Sequence, residues 1–282
     1  MSMRGPTMTT HRVLAQGTGW RVVDLVCHAG PRDRLFVEQH AHVCVALVAS
    51  GTFQYRSRAG RELLTPGSIL LGNAGQEFEC GHEHAAGDRC IAFQFEKDHF
   101  ERVAAEGGTP INEPAFRKVR IPPVRGLSPI FAQVCAGAMG VQDVHWEELG
   151  VCLAAQTIGL LDDRIAGRND DSPSTVARVT RAVRAIECDP AAGNSLADLA
   201  REARLSPYHF LRTFQRLTGL TPHQFVVRMR LRRAAEQLAL EQARILDIAL
   251  DCGFGDVSNF VRAFRSEFGI NPRGYQRQLR RS

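Results

Sequence analysis

No stretch of this sequence is apolar for the roughly 18 residues that a membrane-spanning helix needs. The first sixteen residues, MSMRGPTMTTHRVLAQ, hold no apolar run of signal-peptide length. A soluble, cytoplasmic protein with no membrane partner is expected. Cysteine never occurs as a CxxC pair: the eight cysteines stand singly at 27, 44, 80, 90, 135, 152, 188 and 252. They are expected to be reduced thiols, mostly buried as small hydrophobes. A glycine-rich phosphate loop is also missing, since Gly253-Phe-Gly255 lacks the further glycine and lysine positions of such a loop, which argues against an ATPase. Lysine is absent from residues 175 to 282, which carry 18 Arg against 10 acidic groups, a net charge of +8, whereas residues 1 to 174 hold 17 basic and 20 acidic groups. The positive excess therefore lies wholly in the C-terminal part, in the side chain best suited to bidentate recognition of phosphate and guanine.

At 282 residues the chain exceeds one ordinary domain, and two cores are expected. From Val22 to Phe95 short alternating runs such as Thr52-Phe-Gln-Tyr-Arg are broken by turn signals at Ala59-Gly60, Pro66-Gly67 and Gly72-Asn73. Many short strands with tight turns predict a sandwich or small barrel. From Leu127 the spacing becomes helical, with Ile130 and Val134 and then Leu149, Leu153, Ile158 and Leu161. The polar run Arg168-Asn-Asp-Asp-Ser-Pro-Ser-Thr follows as a linker. The expected class is α+β, with a β-rich domain over 1–125, a helical dimerisation or covering region over 126–167, a linker over 168–176 and an all-helical domain over 177–282.

Within that last domain the sequence repeats at an offset of 50. Phe210 is matched by Phe260, Arg212 by Arg262, Phe214 by Phe264, Gly219 by Gly269, Pro222 by Pro272 and Phe225 by Tyr275. Each repeat opens with a short amphipathic helix. Ser195 and Asp198 make a capping box before the face Leu196, Leu199, Ala200 and Ala203, which Ile245, Ile248, Ala249 and Cys252 reproduce at an offset of 49. The second turn is thus one residue longer, and the extra residue falls in Gly253-Phe-Gly255. A second helix starts at the N-cap Ser206 before Pro207, and its counterpart at Asp256. Phe210, Phe214 and Leu217, like Phe260, Phe264 and Phe268, fall on one face and predict a core. The opposite faces carry Tyr208, His209, Arg212, Gln215 and Arg216, and then Ser258, Asn259, Arg262 and Arg265, side chains that can donate to base edges or phosphates. Two helix-turn-helix units result, over 195–217 and 245–268. A longer helix from about Gln224 to Leu240, with Arg228, Arg230, Arg232 and Arg233, would join them and could present both reading helices to successive major grooves, roughly 34 Å apart.

The runs SPYHFLRTFQRLTGLTPHQF, RLRRAAEQL and ILDIALDCGFGDVSNFVRAFRSEFGINPRGY, between Ser195 and Arg280, resemble the duplicated helix-turn-helix domain of the AraC/XylS transcription regulators. That resemblance implies a sequence-specific DNA-binding regulator rather than an enzyme, an activator by preference, although the residues alone leave activation and repression open. It implies base-reading positions at Tyr208, Leu211 and Arg212 in the first unit and at Val257, Ser258, Asn259 and Arg262 in the second, with Gln215, Arg216 and Arg265 on the same faces. Leu211 and Val257 are apolar where many relatives are polar, and are expected to meet a thymine methyl or to read nothing directly. The implied partners are double-stranded DNA, RNA polymerase and a small-molecule effector held in an N-terminal cupin-like barrel. A homodimer is expected because site-specific operators often contain two half-sites.

In the β-rich part, His40-Ala-His42 places two imidazoles on one side of a strand, as a cupin metal site begins. The carboxylate that such a site needs is absent from Val43 to Gly51, which disfavours the alternative of a cupin-type metalloenzyme with a DNA-binding appendix. His40, His42 and Tyr55 are instead candidates to fix an organic effector. Cys80-Gly-His82-Glu-His84, followed by Cys90, offers the ligands of a zinc-like metal site, or a redox-responsive thiol at Cys80 or Cys90 whose thiolate nearby histidines favour, or a cluster that only packs or hydrogen-bonds.

Overall fold

The computed structural model describes the chain except for residues 1–8, 32, 34–36, 83–86, 107–115, 141–143, 162–171, 194, 241–242 and 280–282. It divides into two compact units, one of residues 1–122 with 146–172 and the other of 123–145 with 173–282.

The first unit contains strands β1 (Thr9–Gly17), β2 (Trp20–Cys27), β3 (Val37–Gln39), β4 (Val43–Gly51), β5 (Phe53–Ser57), β6 (Gly60–Leu64), β7 (Ile69–Gly72), β8 (Glu77–Gly81), β9 (Asp88–Phe95) and β10 (Arg120–Ile121), with helices α1 (Lys97–Glu106) and α3 (Trp146–Leu161). They pair antiparallel into a six-stranded sheet, β1-β2-β9-β4-β7-β10, and a four-stranded sheet, β3-β8-β5-β6. Cys44, Ala46 and Val48 of the larger sheet pack with Phe53, Tyr55 and Leu64 of the smaller one. The other face of the larger sheet meets helices: Phe93 lies 6.2 Å from Trp146, and Phe95 lies 5.5 Å from Phe100. With both faces covered, Val43 to Val48 are all buried, so β4 reads as a continuous apolar run rather than an alternation.

The second unit is helical: α2 (Ser128–Ala138), α4 (Pro173–Cys188), α5 (Leu196–Glu202), α6 (Pro207–Thr218), α7 (Pro222–Leu240), α8 (Ile245–Asp251), α9 (Val257–Phe268) and α10 (Pro272–Leu279). Two boundaries differ from the sequence reading. The helical region expected as one block over 126–167 is divided, with α2 in the helical unit and α3 in the β-rich one. Polar side chains of α7 and α9 hold α2. Arg228 donates to the Pro123 carbonyl at 2.7 Å, Ser128 hydrogen-bonds Glu267, and the Arg232 guanidinium lies 4.0 Å over the Phe131 ring. The expected linker also ends early, because Pro173 already starts α4, whose Val176, Val179, Ala182, Val183 and Ile186 form a buried face.

The eight cysteines form no disulfide among the described residues, but burial is less general than expected: Cys44, Cys90 and Cys252 are buried, whereas Cys152 and Cys188 are exposed.

Candidate functional site

The two helix-turn-helix units repeat in their backbone as well as their sequence. In the first turn Leu205 N–H bonds the Ala200 carbonyl at 3.0 Å, and in the second Phe254 N–H bonds the Ala249 carbonyl at 2.9 Å. Arg204 and Gly253 occupy the same left-handed corner, with φ of +53° and +85°. The register then changes from 49 to 50, which identifies Gly255 as the inserted residue. Glycine at 253 is favoured by its dihedral, which Arg204 adopts with strain, and is required by space, because a Cβ there would lie 2.8 Å from Cα of Ala191.

The second helix of each unit is capped at both ends in the same way. Ser206 Oγ accepts from His209 N–H at 3.3 Å and Asp256 Oδ1 accepts from Asn259 N–H at 2.7 Å. Gly219 and Gly269 end α6 and α9 with φ of +81° and +75°. Beneath them the aromatic cores correspond. Phe214 meets Phe225 edge-on with centroids 5.6 Å apart, and Phe264 meets Tyr275 at 5.5 Å. Phe210, Phe214, Phe225, Phe260 and Phe264 are wholly buried, and removing any one ring from such a core costs about 3–5 kcal/mol. In α5 and at its C-cap, Leu199, Ala200 and Ala203 are buried as expected, but Leu196 stays 38 % exposed.

With the rings inward, the expected reading faces are outward. Tyr208, Arg212, Gln215 and Arg216 on α6 are exposed, as are Ser258, Asn259, Arg262 and Arg265 on α9, while Leu211 and Val257 are half-buried at the edges of those faces. Arg212 Nη1 lies 3.5 Å from the Tyr208 hydroxyl, and Arg262 Nη2 lies 3.5 Å from Asn259 Oδ1, so the paired arginines each rest on a polar neighbour one turn back.

Sequence reasoning gave the arginines of α7 no separate task. Three of them work inside the unit. Arg230 donates to the carbonyls of Pro190 (2.7 Å), Gly253 (2.6 Å) and Ala192 (3.3 Å), tying the second turn to the segment after α4. Arg228 Nε pairs with Glu267 Oε1 at 3.0 Å, and Arg232 stacks on Phe131. Burial pushes the Arg232 guanidinium down to about 10. Arg233 is exposed.

Between the two sheets of the first unit lies a cavity of about 440 Å³. His40 and His42 line it. Tyr55 does not; it is wholly buried, with its hydroxyl 2.8 Å from His40 Nε2. Burial pushes the His40 imidazole down to about 4, so it is neutral at pH 7. Arg21 Nε donates to Gln94 Oε1 at 2.6 Å, and both side chains face the cavity. Burial raises the Glu38 carboxyl above the usual carboxylate range, despite an opposing contribution from His11.

The Cys/His cluster is rearranged. Among the described residues, the group whose ligand atoms converge is Cys27, His82 and Asp88, not Cys80, His82 and Cys90, and His84 lies outside the described residues. Cys80 and Cys90 line the same cavity, where burial raises both thiols well above their ordinary value, the opposite of what an activated redox thiol needs. His82 Nε2 lies 2.5 Å from Asp88 Oδ1. Burial alone would lower the His82 imidazole, but its hydrogen bonds with Asp88 and Cys27 outweigh this and hold it at about 9. Cys27 and Asp88 had no signal in the sequence: they face each other only because β2 pairs with β9.

Residues 199–278 match a family model described as a helix-turn-helix domain. "Probable transcriptional regulator LumQ" of Photobacterium leiognathi is 39% identical over 82 residues, 29% of this chain and 33% of that protein. "HTH-type transcriptional activator RhaS" of Yersinia pestis (strain Pestoides F) is 40% identical over 68 residues, 24% of this chain and 25% of that protein. The match thus spans a quarter to a third of the length of these relatives. Among solved structures, ToxT from Vibrio cholerae O395 aligns over 93% of this chain and 99% of its own, at 14% identity and a TM-score of 0.37.

Proposed function

We propose that this chain, whose C-terminal unit is a duplicated helix-turn-helix of the AraC/XylS regulators, is a transcription regulator that binds a specific DNA site through both units and responds to an effector in the cavity of its β-rich unit. The observation that carries the reading is the exposure of Arg212 and Arg262 at equivalent positions on two equally capped helices. Each helix offers a polar face of the size a major groove admits, and the phosphate-binding charge is the arginine excess of the same unit.

In this reading Tyr208, Leu211, Arg212, Gln215 and Arg216 meet one groove segment and Val257, Ser258, Asn259, Arg262 and Arg265 the next. His40 and His42 present polar groups to the effector and Tyr55 supports His40 from behind. Activation through RNA polymerase, and dimer formation on paired half-sites, belong to the same proposal. Enrichment of duplexes from a random library by the purified chain tests the DNA half. A screen for small molecules that raise its melting temperature, repeated with His40→Ala, tests the cavity half. A chain that enriches no sequence would overturn the first, and a ligand equally stabilising to His40→Ala would overturn the placement of the second.

A further inference from the structure

The wall of the cavity contains a convergence that effector binding by His40 and His42 does not use. Cys27 ends β2, Asp88 starts β9 directly opposite it, and His82 follows β8. One donor atom from each, a sulfur, a carboxylate oxygen and an imidazole nitrogen, lies within 4.8 Å of the other two. His82 is 5% exposed and its ring stacks on Phe53 with centroids 5.9 Å apart, which fixes its direction. The backbone beneath Asp88 is equally confined: Gly51 has φ of +84°, and a Cβ there would lie 2.5 Å from Asp88 Cα. All three side chains also line the cavity.

We propose that Cys27, His82 and Asp88 bind a divalent transition-metal ion of the zinc class, with its remaining coordination position open to the cavity. Bonds of about 2.0–2.3 Å from such an ion at tetrahedral angles hold S, N and O donors roughly 3.3–3.7 Å apart, so uptake requires the His82 and Asp88 donor atoms, now 2.5 Å apart, to separate by small side-chain rotations. A mixed S, N, O set selects a borderline ion over calcium or magnesium, which take oxygen ligands. Three protein ligands leave the open position characteristic of sites that bind a further molecule. The regulatory meaning of the ion rests on reading the cavity as the sensing site; the ion site itself does not.

The experiment uses the full chain, stripped with a chelator, dialysed against Co²⁺ or Zn²⁺ and analysed for metal per chain. One ion per chain and a thiolate-to-cobalt charge-transfer band are expected. Cys27→Ser should lose the band, and His82→Gln should weaken retention by about tenfold or more. Cys80→Ser, in the same cavity but outside the trio, should leave both unchanged. A wild-type chain without the band overturns the proposal whatever the variants do, as does a band that survives Cys27→Ser but not Cys80→Ser. Specific DNA binding by the stripped and by the metal-loaded protein is measured in the same preparation. Its absence from both counts against the regulator reading, and the cobalt band reports on the ion site independently.

Discussion

Arg204 and Gly253 hold the same left-handed corner of two helix-turn-helix units, 49 residues apart, at φ of +53° and +85°. The shared corner shows that the longer second turn keeps the geometry of the first and adds Gly255 after it. An L-residue at such a dihedral is strained by roughly 1 kcal/mol relative to glycine.

Gly253→Ala should therefore destabilise the helical unit by more than that strain alone, about 2 kcal/mol or above, because its methyl also meets Ala191. Arg204→Gly should change stability by less than about 1 kcal/mol, since relief of the strain is offset by a freer unfolded chain. Urea denaturation of both variants gives the comparison; equal losses would contradict it.

Glu267 is a buried carboxylate that accepts from Ser128 and pairs with Arg228. Removing one partner of a buried pair leaves the other uncompensated, at about 3–5 kcal/mol. Glu267→Ala should approach that loss, and Glu267→Gln, which keeps an acceptor for Ser128, should lose less. Melting curves that rank the two the other way would refute the account of how α2 is held.

Arg230 should behave as a structural arginine. Its three carbonyl bonds predict that Arg230→Ala lowers stability by about 2–3 kcal/mol. The salt dependence of DNA binding, measured below the melting range, should keep its slope; a slope reduced by about one would instead make Arg230 a phosphate contact.

His82 gives the β-rich unit a pH signature. Its folded value of about 9 lies above its ordinary value of 6.5, owing to Asp88 and Cys27. A raised value means that the stability it contributes is fully present below pH 6.5 and is lost as pH rises through about 9. In the chelator-stripped chain, melting temperature should fall over that range in the wild type and fall less in His82→Gln. Identical pH profiles would contradict the assignment.

The parts legible in the sequence were those set by local spacing. Ser206-Pro207, Asp256, the phenylalanines four residues apart and the closing glycines sit in one helix each, and their 50-residue repeat made the duplication visible. What depended on strand register was not legible: Cys27 and Asp88 are 61 positions apart and meet through β2 and β9. The continuous apolar run of β4 concealed its two packed faces. Similarly, the spacing of α2 and α3 revealed two helices but not their separate units, since the side chains that hold α2, Arg228, Arg232 and Glu267, lie about a hundred residues or more further along.

The central claim, that two equivalent helices read DNA, is tested most directly by footprinting the chain and its Arg212→Ala and Arg262→Ala variants on a duplex enriched by the wild type. The account predicts two protected blocks about one helical turn apart. Each substitution should cost about 1–3 kcal/mol and relax base preference in one block only, a different block for each. Full affinity and unchanged base preference in both variants would contradict it.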